Sequence, residues 1–181
     1  TLNVPNDISI EIDTATGCST VVNFKAPTAS DNCGEIIIDQ LSILGNGDAY
    51  PMGDTITVSY EAKDLSGNAT VDSFKVIVID KTLPIVRSSQ VEIFLDADGI
   101  AKLTTQTIDN GSTDNCGVLR MSLSQDSFSC ADTGLQTVNL MVEDVFGNTR
   151  SAPANINIKD TIPPILLCKA NTILYLNQDG A

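Results

Sequence analysis

The chain of 181 residues contains no histidine, no tryptophan and only 10 lysine and arginine residues. Without histidine, serine–histidine and cysteine–histidine catalysis are excluded, and zinc loses its usual nitrogen ligand. A net charge of −13 excludes nucleic acids and anionic membranes as favourable partners. Aromatic residues make up only 4% of the chain, so a stacking platform for carbohydrate is not expected. No apolar run is long enough to predict membrane insertion.

What the chain does contain is a repeat with a spacing of 80 residues. The five residues from Asp64 to Asn68 return as Asp144 to Asn148, and Asp80 returns as Asp160. A fixed period of this size is typical of tandem modules. It predicts a first module at residues 1–80, a second at 81–160 and the start of a third at 161–181.

The hydrophobic pattern within each module is that of β-strands. In residues 55–62, apolar side chains occupy alternate positions, and residues 74–78 do the same after the Asp64–Asn68 turn. The second module repeats this hairpin, and no stretch has convincing helical periodicity. The sequence therefore predicts an all-β fold, made of tandem immunoglobulin-like β-sandwich modules in a rod.

The five cysteines include no CxxC pair, which argues against a zinc ribbon or a thioredoxin-like site. Cys18 and Cys33 are close in the first module, and Cys116 and Cys130 are close in the second. Their spacing predicts one local disulfide in each module, worth roughly 3 kcal/mol in the chain-entropy model. Cys168 has no local partner, so we expect it to pair beyond Ala181.

Several motifs together carry a resemblance to known families. The first module, with Asp31-Asn32-Cys33-Gly34, residues 50–60, the turn at 64–68 and residues 76–80, resembles a hyalin-repeat (HYR) domain. The second module, with residues 94–99, 108–117, 128–130 and 144–148, resembles repeats of the SprB-like adhesins of gliding Bacteroidota. The resemblance implies an extracellular, cell-surface protein exported by type IX secretion and used in adhesion or gliding. It also implies partners among neighbouring repeats, other surface or secretion-system proteins, or a glycan.

Asp accounts for most of the acidic residues, and its short side chain suits both turns and sites for hard cations. Ca²⁺ needs several oxygen ligands, which separate loops can supply. The sequence predicts one set of ligands at an end of each module. An open alternative is that the same side chains only cap turns, without a metal. The first predicted set is Asp31, Asp64, Asn68 and Asp80, and the second is Asp114, Asp144, Asn148 and Asp160. Because strand length separates a hairpin turn from the exit of its second strand, a set with Asp31 and Asp80 is favoured over all four in the first module if the Asp31 loop packs at the linker end.

The function predicted from these features is that of a stiff spacer in a long adhesin. The rival interpretation is an adhesive module whose loops recognise a glycan or a protein. A glycosidase-like carboxylate pair would need one acid in an apolar pocket beside an ionised one. Because the acids fall mostly in predicted turns and no unique cleft is apparent, an enzyme is not expected.

Overall fold

The computed structural model describes residues 1–165, and nearly all regular structure in them is β. Within residues 1–80 there are eight strands, two of them long and joined as a hairpin. They are β1 (Leu2–Asn3), β2 (Ile8–Ile12), β3 (Ser19–Val21), β4 (Thr28–Ala29), β5 (Ile36–Gln40), β6 (Ala49–Pro51), β7 (Thr55–Asp64) and β8 (Ala69–Asp80).

Residues 81–165 contain six further strands and two single helical turns. The helical turns are α1 (Thr105–Ile108) and a 3-10 turn at Cys130–Asp132. The strands are β9 (Val91–Phe94), β10 (Ile100–Lys102), β11 (Val118–Leu123), β12 (Ser127–Ser129), β13 (Gly134–Asp144) and β14 (Thr149–Lys159).

The first module packs a four-stranded sheet, in the order β2-β8-β7-β5, against the short pairs β1–β4 and β3–β6. Alternate side chains of the β7–β8 hairpin face inward, among them Val58, Phe74 and Val76. Leu2 and Tyr50, from the short strands, cover them from the other side. The inward-facing residues of both layers therefore form one hydrophobic core.

The second module repeats this plan with the sheet order β11-β13-β14-β9 and the short pair β10–β12. Leu140 of β13 and Ile156 of β14 are fully buried, and Phe128 of β12 packs on them from the opposite layer. The prediction of an all-β, immunoglobulin-like sandwich is thus confirmed. The predicted hairpins are also present, with β7 paired to β8 and β13 paired to β14.

The long hairpin strand of each module connects opposite ends of that module. Strand β8 has 12 residues, and at a rise of about 3.3 Å per residue it extends for about 40 Å. The turn before β8 and Asp80 at its end therefore lie far apart. This distance decides which acidic residues can meet.

Part of the predicted third segment, residues 166–181 with Cys168, lies outside the described residues. Within residues 1–165, no helix is long and apolar enough to cross a membrane.

Candidate functional site at the module junction

Three carboxylates from two modules meet at their junction. Asp80 is the last residue of β8, Asp144 is the last residue of β13, and Asp114 lies in the loop before β11. One carboxylate oxygen from each lies within 4.8 Å of the other two. Because the first module supplies one acid and the second supplies two, the cluster exists only when the modules are docked.

Asp144 is held by the hairpin turn that follows it. Its Oδ1 accepts hydrogen bonds from the backbone N–H groups of Phe146 and Asn148, both at 2.8 Å. The amide Nδ2 of Asn148 donates to Asp144 Oδ2 at 2.7 Å and also lies 3.2 Å from the backbone oxygen of Asp80. Gly147 permits the turn because its φ is +87°. The recurring turn residues therefore shape the turn and also connect the two modules.

Asp80 is 3% exposed and is held from both sides of the junction. The backbone N–H of Thr82 donates to its Oδ1 at 2.8 Å, which forms a turn at the start of the linker. Asn115 of the second module donates from Nδ2 to its Oδ2 at 2.9 Å. The carboxylate is therefore fixed in position and points towards the second module.

Asp114 differs from the other two acids because neither of its carboxylate oxygens has a hydrogen-bond partner, although both are buried. Burial raises its pKa above the usual range, and the neighbouring charges of Asp144 and Asp80 raise the pKa further. The nearby backbone N–H groups of Asn115 and Cys116 offset only part of this rise. The Oδ1 atom of Asn115 is likewise buried without a donor. Three oxygen acceptors at the junction thus lack a hydrogen-bond partner of ordinary geometry.

No basic side chain neutralises the cluster within the part of the chain that the structure describes. The two ion pairs there join Arg120 to Glu143 and Lys159 to Glu92, and neither includes one of the three acids. Unpaired buried charges are strongly unfavourable unless a cation or a proton compensates them. The junction is therefore a candidate site for a cation with oxygen ligands.

The three carboxylates are close enough to share one ion, since one oxygen of each lies within 4.8 Å of the other two. Oxygen ligands of this kind suit a hard divalent cation such as Ca²⁺. Beside these carboxylates, Asn115 could supply a neutral oxygen ligand.

A disulfide joins the modules beside the acid cluster. Cys18 of the first module is bonded to Cys116 of the second, 98 residues away in sequence, with a Cα–Cα distance of 4.7 Å. Cys33 and Cys130 are exposed thiols. The predicted local pairs, Cys18–Cys33 and Cys116–Cys130, are therefore wrong. Short spacing in sequence did not mean proximity, because loops at opposite ends of a sandwich meet different neighbours.

Apolar contact completes the junction. Phe146, in the hairpin turn of the second module, packs on Gly53 of the first. A Cβ built on Gly53 would meet the ring of Phe146, with atom Cζ at 2.9 Å. Gly53 also has a φ of +85°, which a residue with a side chain rarely adopts. Glycine is thus required both by the backbone and by the approach of the ring.

The structure groups the members of the predicted ligand sets differently from the prediction. Asp31, Asp64 and Asn68 line one pocket at the end of the first module opposite to Asp80. The predicted set that combined them with Asp80 is therefore wrong, and the reason is the length of β8.

In the second module the structure brings Asp114, Asp144 and Asn148 together, but places Asp160 elsewhere. Asp160 shares a surface pocket with Asp96 and Asp98. It is the last residue before the second linker, as Asp80 is before the first. The predicted membership of Asp160 in the second set is thus also wrong.

Three contributors to the junction were not predicted: Asn115, Gly53 and Phe146. Asn115 follows Asp114 directly, just as Asn32 follows Asp31, so the recurrence of Asn in this loop was an available signal. Nothing in the sequence marked the contact between Gly53 and Phe146.

The geometry also bears on the carboxylate-pair enzyme. Asp114, with a raised pKa, does lie beside further carboxylates, as an acid–base pair would require. However, its oxygens are buried between two docked modules, where a glycosidic bond has no access. The arrangement suits a bare ion rather than a polymeric substrate.

Comparison with known proteins identifies the type of module. Residues 1–78 match the family model of the HYR domain. Over 180 residues the chain is 31% identical to hyalin of Lytechinus variegatus, which covers 91% of this chain and 32% of that protein. Over 171 residues it is 30% identical to hyalin of Strongylocentrotus purpuratus, covering 88% of this chain and 14% of that protein. The chain thus contains a hyalin-repeat-like domain and spans at most a third of these relatives.

Solved structures of cadherin type are similar at low sequence identity. Human mucin-like protocadherin EC1-2 is 11% identical, with a TM-score of 0.45 over 89% of this chain and 99% of that one. Mouse cadherin-23 EC22-24 is 15% identical, with a TM-score of 0.34 over 88% of this chain and 64% of that one.

Proposed function

We propose that this chain is a stiff spacer segment of an extracellular adhesive protein, in which Ca²⁺ and a disulfide fix successive modules to each other. The observation that carries the proposal is the carboxylate of Asp114, which is buried without a partner beside Asp80 and Asp144. Because those acids come from different modules, an ion bound to all three must join the modules.

The cost of leaving the cluster without a cation supports this role. Two carboxylates about 5 Å apart repel each other by about 3 kcal/mol at an effective dielectric constant of about 20. Three acids form three such pairs. A divalent cation replaces this repulsion by attraction, so ion binding favours the docked arrangement over a bent or separated one.

Covalent and steric restraints act in the same direction. The Cys18–Cys116 bond prevents the modules from separating. In the linker, the ring of Pro84 restricts the backbone and is itself buried. A module boundary with these restraints transmits tension along the rod and limits its bending, as a spacer or stalk requires.

An extracellular location follows from the same features. A disulfide between modules persists in oxidising compartments, and millimolar Ca²⁺ is an extracellular condition for which weak modular sites are suited. The likeness to hyalins supports an adhesion-type, non-enzymatic role.

A narrower role concerns gliding or surface attachment of a Bacteroidota cell that exports the protein by type IX secretion. It is supported only by the similarity of the second module to SprB-like repeats. Deletion of the parent gene and measurement of cell movement and attachment would test it, and normal movement with normal attachment would refute it.

The cation proposal is tested by calcium titration of the purified chain. We expect one Ca²⁺ bound per chain at the junction, with weaker binding of Mg²⁺. Small-angle scattering should show an extended particle in Ca²⁺ and a broader distribution of module angles in chelator. Absence of binding at millimolar Ca²⁺, with the same scattering curve in chelator, would refute the proposal.

The rival function is recognition of a glycan or protein by the loops. A binding assay on the same chain distinguishes it from the spacer function. A spacer gives no saturable binding to immobilised cell-surface glycans or proteins, whereas a recognition module does.

A further inference from the structure

The exposed end of the first module has the same architecture as the end of the second module that faces the junction. In the first module, Asn68 donates to Asp64 through its backbone N–H and its Nδ2, both at 2.8 Å. In the second, Asn148 donates to Asp144 through the same atoms at 2.8 and 2.7 Å. The two hairpin turns are therefore equivalent in hydrogen bonding as well as in sequence.

The loop with the sequence Asp-Asn-Cys-Gly is also reproduced at both ends. Gly34 has a φ of +114° and Gly117 a φ of +116°, so the backbone after each cysteine bends alike. Cys116 in the second loop is bonded to the first module, whereas Cys33 in the first loop is an exposed thiol. The exposed end of the first module thus presents one unoccupied half of a junction.

The opposite half recurs at the far end of the second module. Asp160 precedes the second linker, and the backbone N–H of Ile162 donates to its Oδ1 at 3.0 Å. The corresponding bond in the first linker, from Thr82 to Asp80 Oδ1, is 2.8 Å. Both acids are therefore held by the same turn at the start of a proline-containing linker.

Strand register places Cys130 at the position of Met52 in the first module, directly across from the position that Cys18 occupies there. Ser19 pairs with Pro51, so the next cross-strand position joins Cys18 and Met52. In the second module Ile100 pairs with Ser129, so the next position joins Gly99 and Cys130.

The sulfur of Cys130 lies over Gly99, 3.7 Å from its carbonyl oxygen. A Cβ at Gly99 would lie 2.7 Å from that sulfur. Glycine on one strand therefore makes room for the cysteine on the other. The same corner of each sandwich thus carries a sulfur, supplied by different strands.

We propose that Cys130 and Asp160 form half of a second intermodule junction, in which the next module of the same polypeptide presents an Asp-Asn-Cys-Gly loop whose cysteine bonds to Cys130. Asp31 and Cys33 of the first module occupy the loop equivalent to that of Asp114 and Cys116. The linker after Asp160 ends in proline as the first linker does, and this likeness is why the proposed partner is a module of the same polypeptide. The proposal extends the spacer function, but its disulfide does not depend on cation binding.

Bond formation needs an oxidant, and a small-molecule disulfide suffices. The thiolate of Cys130 attacks the oxidant, forms a mixed disulfide and releases one thiolate. The loop cysteine, as thiolate, then attacks the sulfur of Cys130 and releases the second. The two protein thiols lose two protons and two electrons, and the oxidant is reduced to two thiols.

The test is a form of the chain in which residues 85–160 are repeated once after Pro164, so that a copy of the second module follows the second linker. After oxidation with glutathione disulfide, non-reducing peptide mapping locates the bonds. We expect a peptide containing Cys130 linked to one containing the copied Cys116, while the Cys18–Cys116 bond is retained. Free thiol at Cys130 should fall from nearly complete to nearly absent.

The matched control carries C116S only in the copied module, which should leave Cys130 reactive towards iodoacetamide. A folded enlarged chain, recognised by its retained Cys18–Cys116 bond, in which Cys130 stays a free thiol would overturn the proposal. Calcium binding is scored separately, so failure of the spacer proposal and failure of this one give different results.

If the enlarged chain does not fold, the proposal is tested with variants of the 181-residue chain in which one cysteine is replaced. The C33S and C130S variants are mixed at equal concentration in a glutathione redox buffer. Formation of the Cys130–Cys33 dimer beyond random pairing supports the proposal, and random pairing overturns it.

Discussion

Replacement of Asp114 by asparagine distinguishes between two interpretations of the junction acids: a cation site, or side chains that only cap turns. The substitution keeps the size of the side chain and removes one of three clustered charges. Each removed repulsion is worth about 3 kcal/mol at about 5 Å and an effective dielectric constant of about 20. Solvent screening reduces these values, and the raised pKa of Asp114 gives the direction of the effect, since it means that its charged form is disfavoured at the junction. We therefore expect D114N to be more stable in chelator, by about 2 kcal/mol.

For a protein of this size, such a gain raises the melting temperature by about 4–8 °C. In Ca²⁺ the wild type is stabilised by the bound ion. A ligand at about 100 times its dissociation constant stabilises by about 2.7 kcal/mol, or about 5–11 °C. The wild type should show this shift between chelator and Ca²⁺, whereas D114N should show almost none. Differential scanning calorimetry in both conditions measures all four values.

The matched control is D31N, which makes the same substitution in the same motif at the exposed end of the first module. Asp31 accepts a hydrogen bond from the backbone N–H of Cys33 at 3.0 Å, and it faces no second module in this chain. Its effect should stay within about 0.5 kcal/mol in both conditions. The reasoning is refuted if D114N is less stable than wild type in chelator and keeps its calcium shift.

Three further predictions concern the same junction. In chelator the wild type should gain stability as the pH falls from neutral towards the ordinary aspartate pKa of 3.8, because a carboxyl with a raised pKa takes up a proton more readily in the folded state than in the unfolded state. D114N should lack this gain in thermal melts. Replacement of Cys18 by serine opens a loop of 98 residues and should lower stability by about 3–5 kcal/mol, seen as a lower urea midpoint under non-reducing conditions. A mutant with the same urea midpoint as the wild type would show that the bond does not restrain unfolding. G53A should destabilise the chain more than G67A in thermal melts, because both glycines have positive φ but only Gly53 lies against a side chain, that of Phe146; equal effects would contradict the contact.

The sequence was a good guide to everything that repeats within a module. The alternation in residues 55–62 predicted β7, and the Asp64–Asn68 pattern predicted the hairpin turn that follows. The strand and the turn both depend on residues that are close in sequence or face each other across one turn, and the local sequence pattern describes such contacts well. The short strands β1, β4, β6 and β12 carried too few residues to give a period.

The grouping of the acids failed for a physical reason. A ligand set depends on which loops share an end of the sandwich, and a strand as long as β8 places Asp64 and Asp80 about 40 Å apart. Both residues recur 80 positions later in the sequence, which shows only that each belongs to the repeating unit. Sequence repetition does not distinguish contacts within a unit from contacts between successive units.

The same reasoning explains the disulfide. A bond such as Cys18–Cys116 can recur at every junction of a repeat array only if each module contributes one cysteine to each of its two neighbours. A module with two cysteines, one at each end, does this, and a module with a local disulfide cannot. Under the proposal above, the exposed thiols of Cys33 and Cys130 are the two positions at which further bonds between modules would form. Each junction would bring together one acid from the end of a long strand, two from the next module and one disulfide, so that covalent and ionic restraints act at the same boundary.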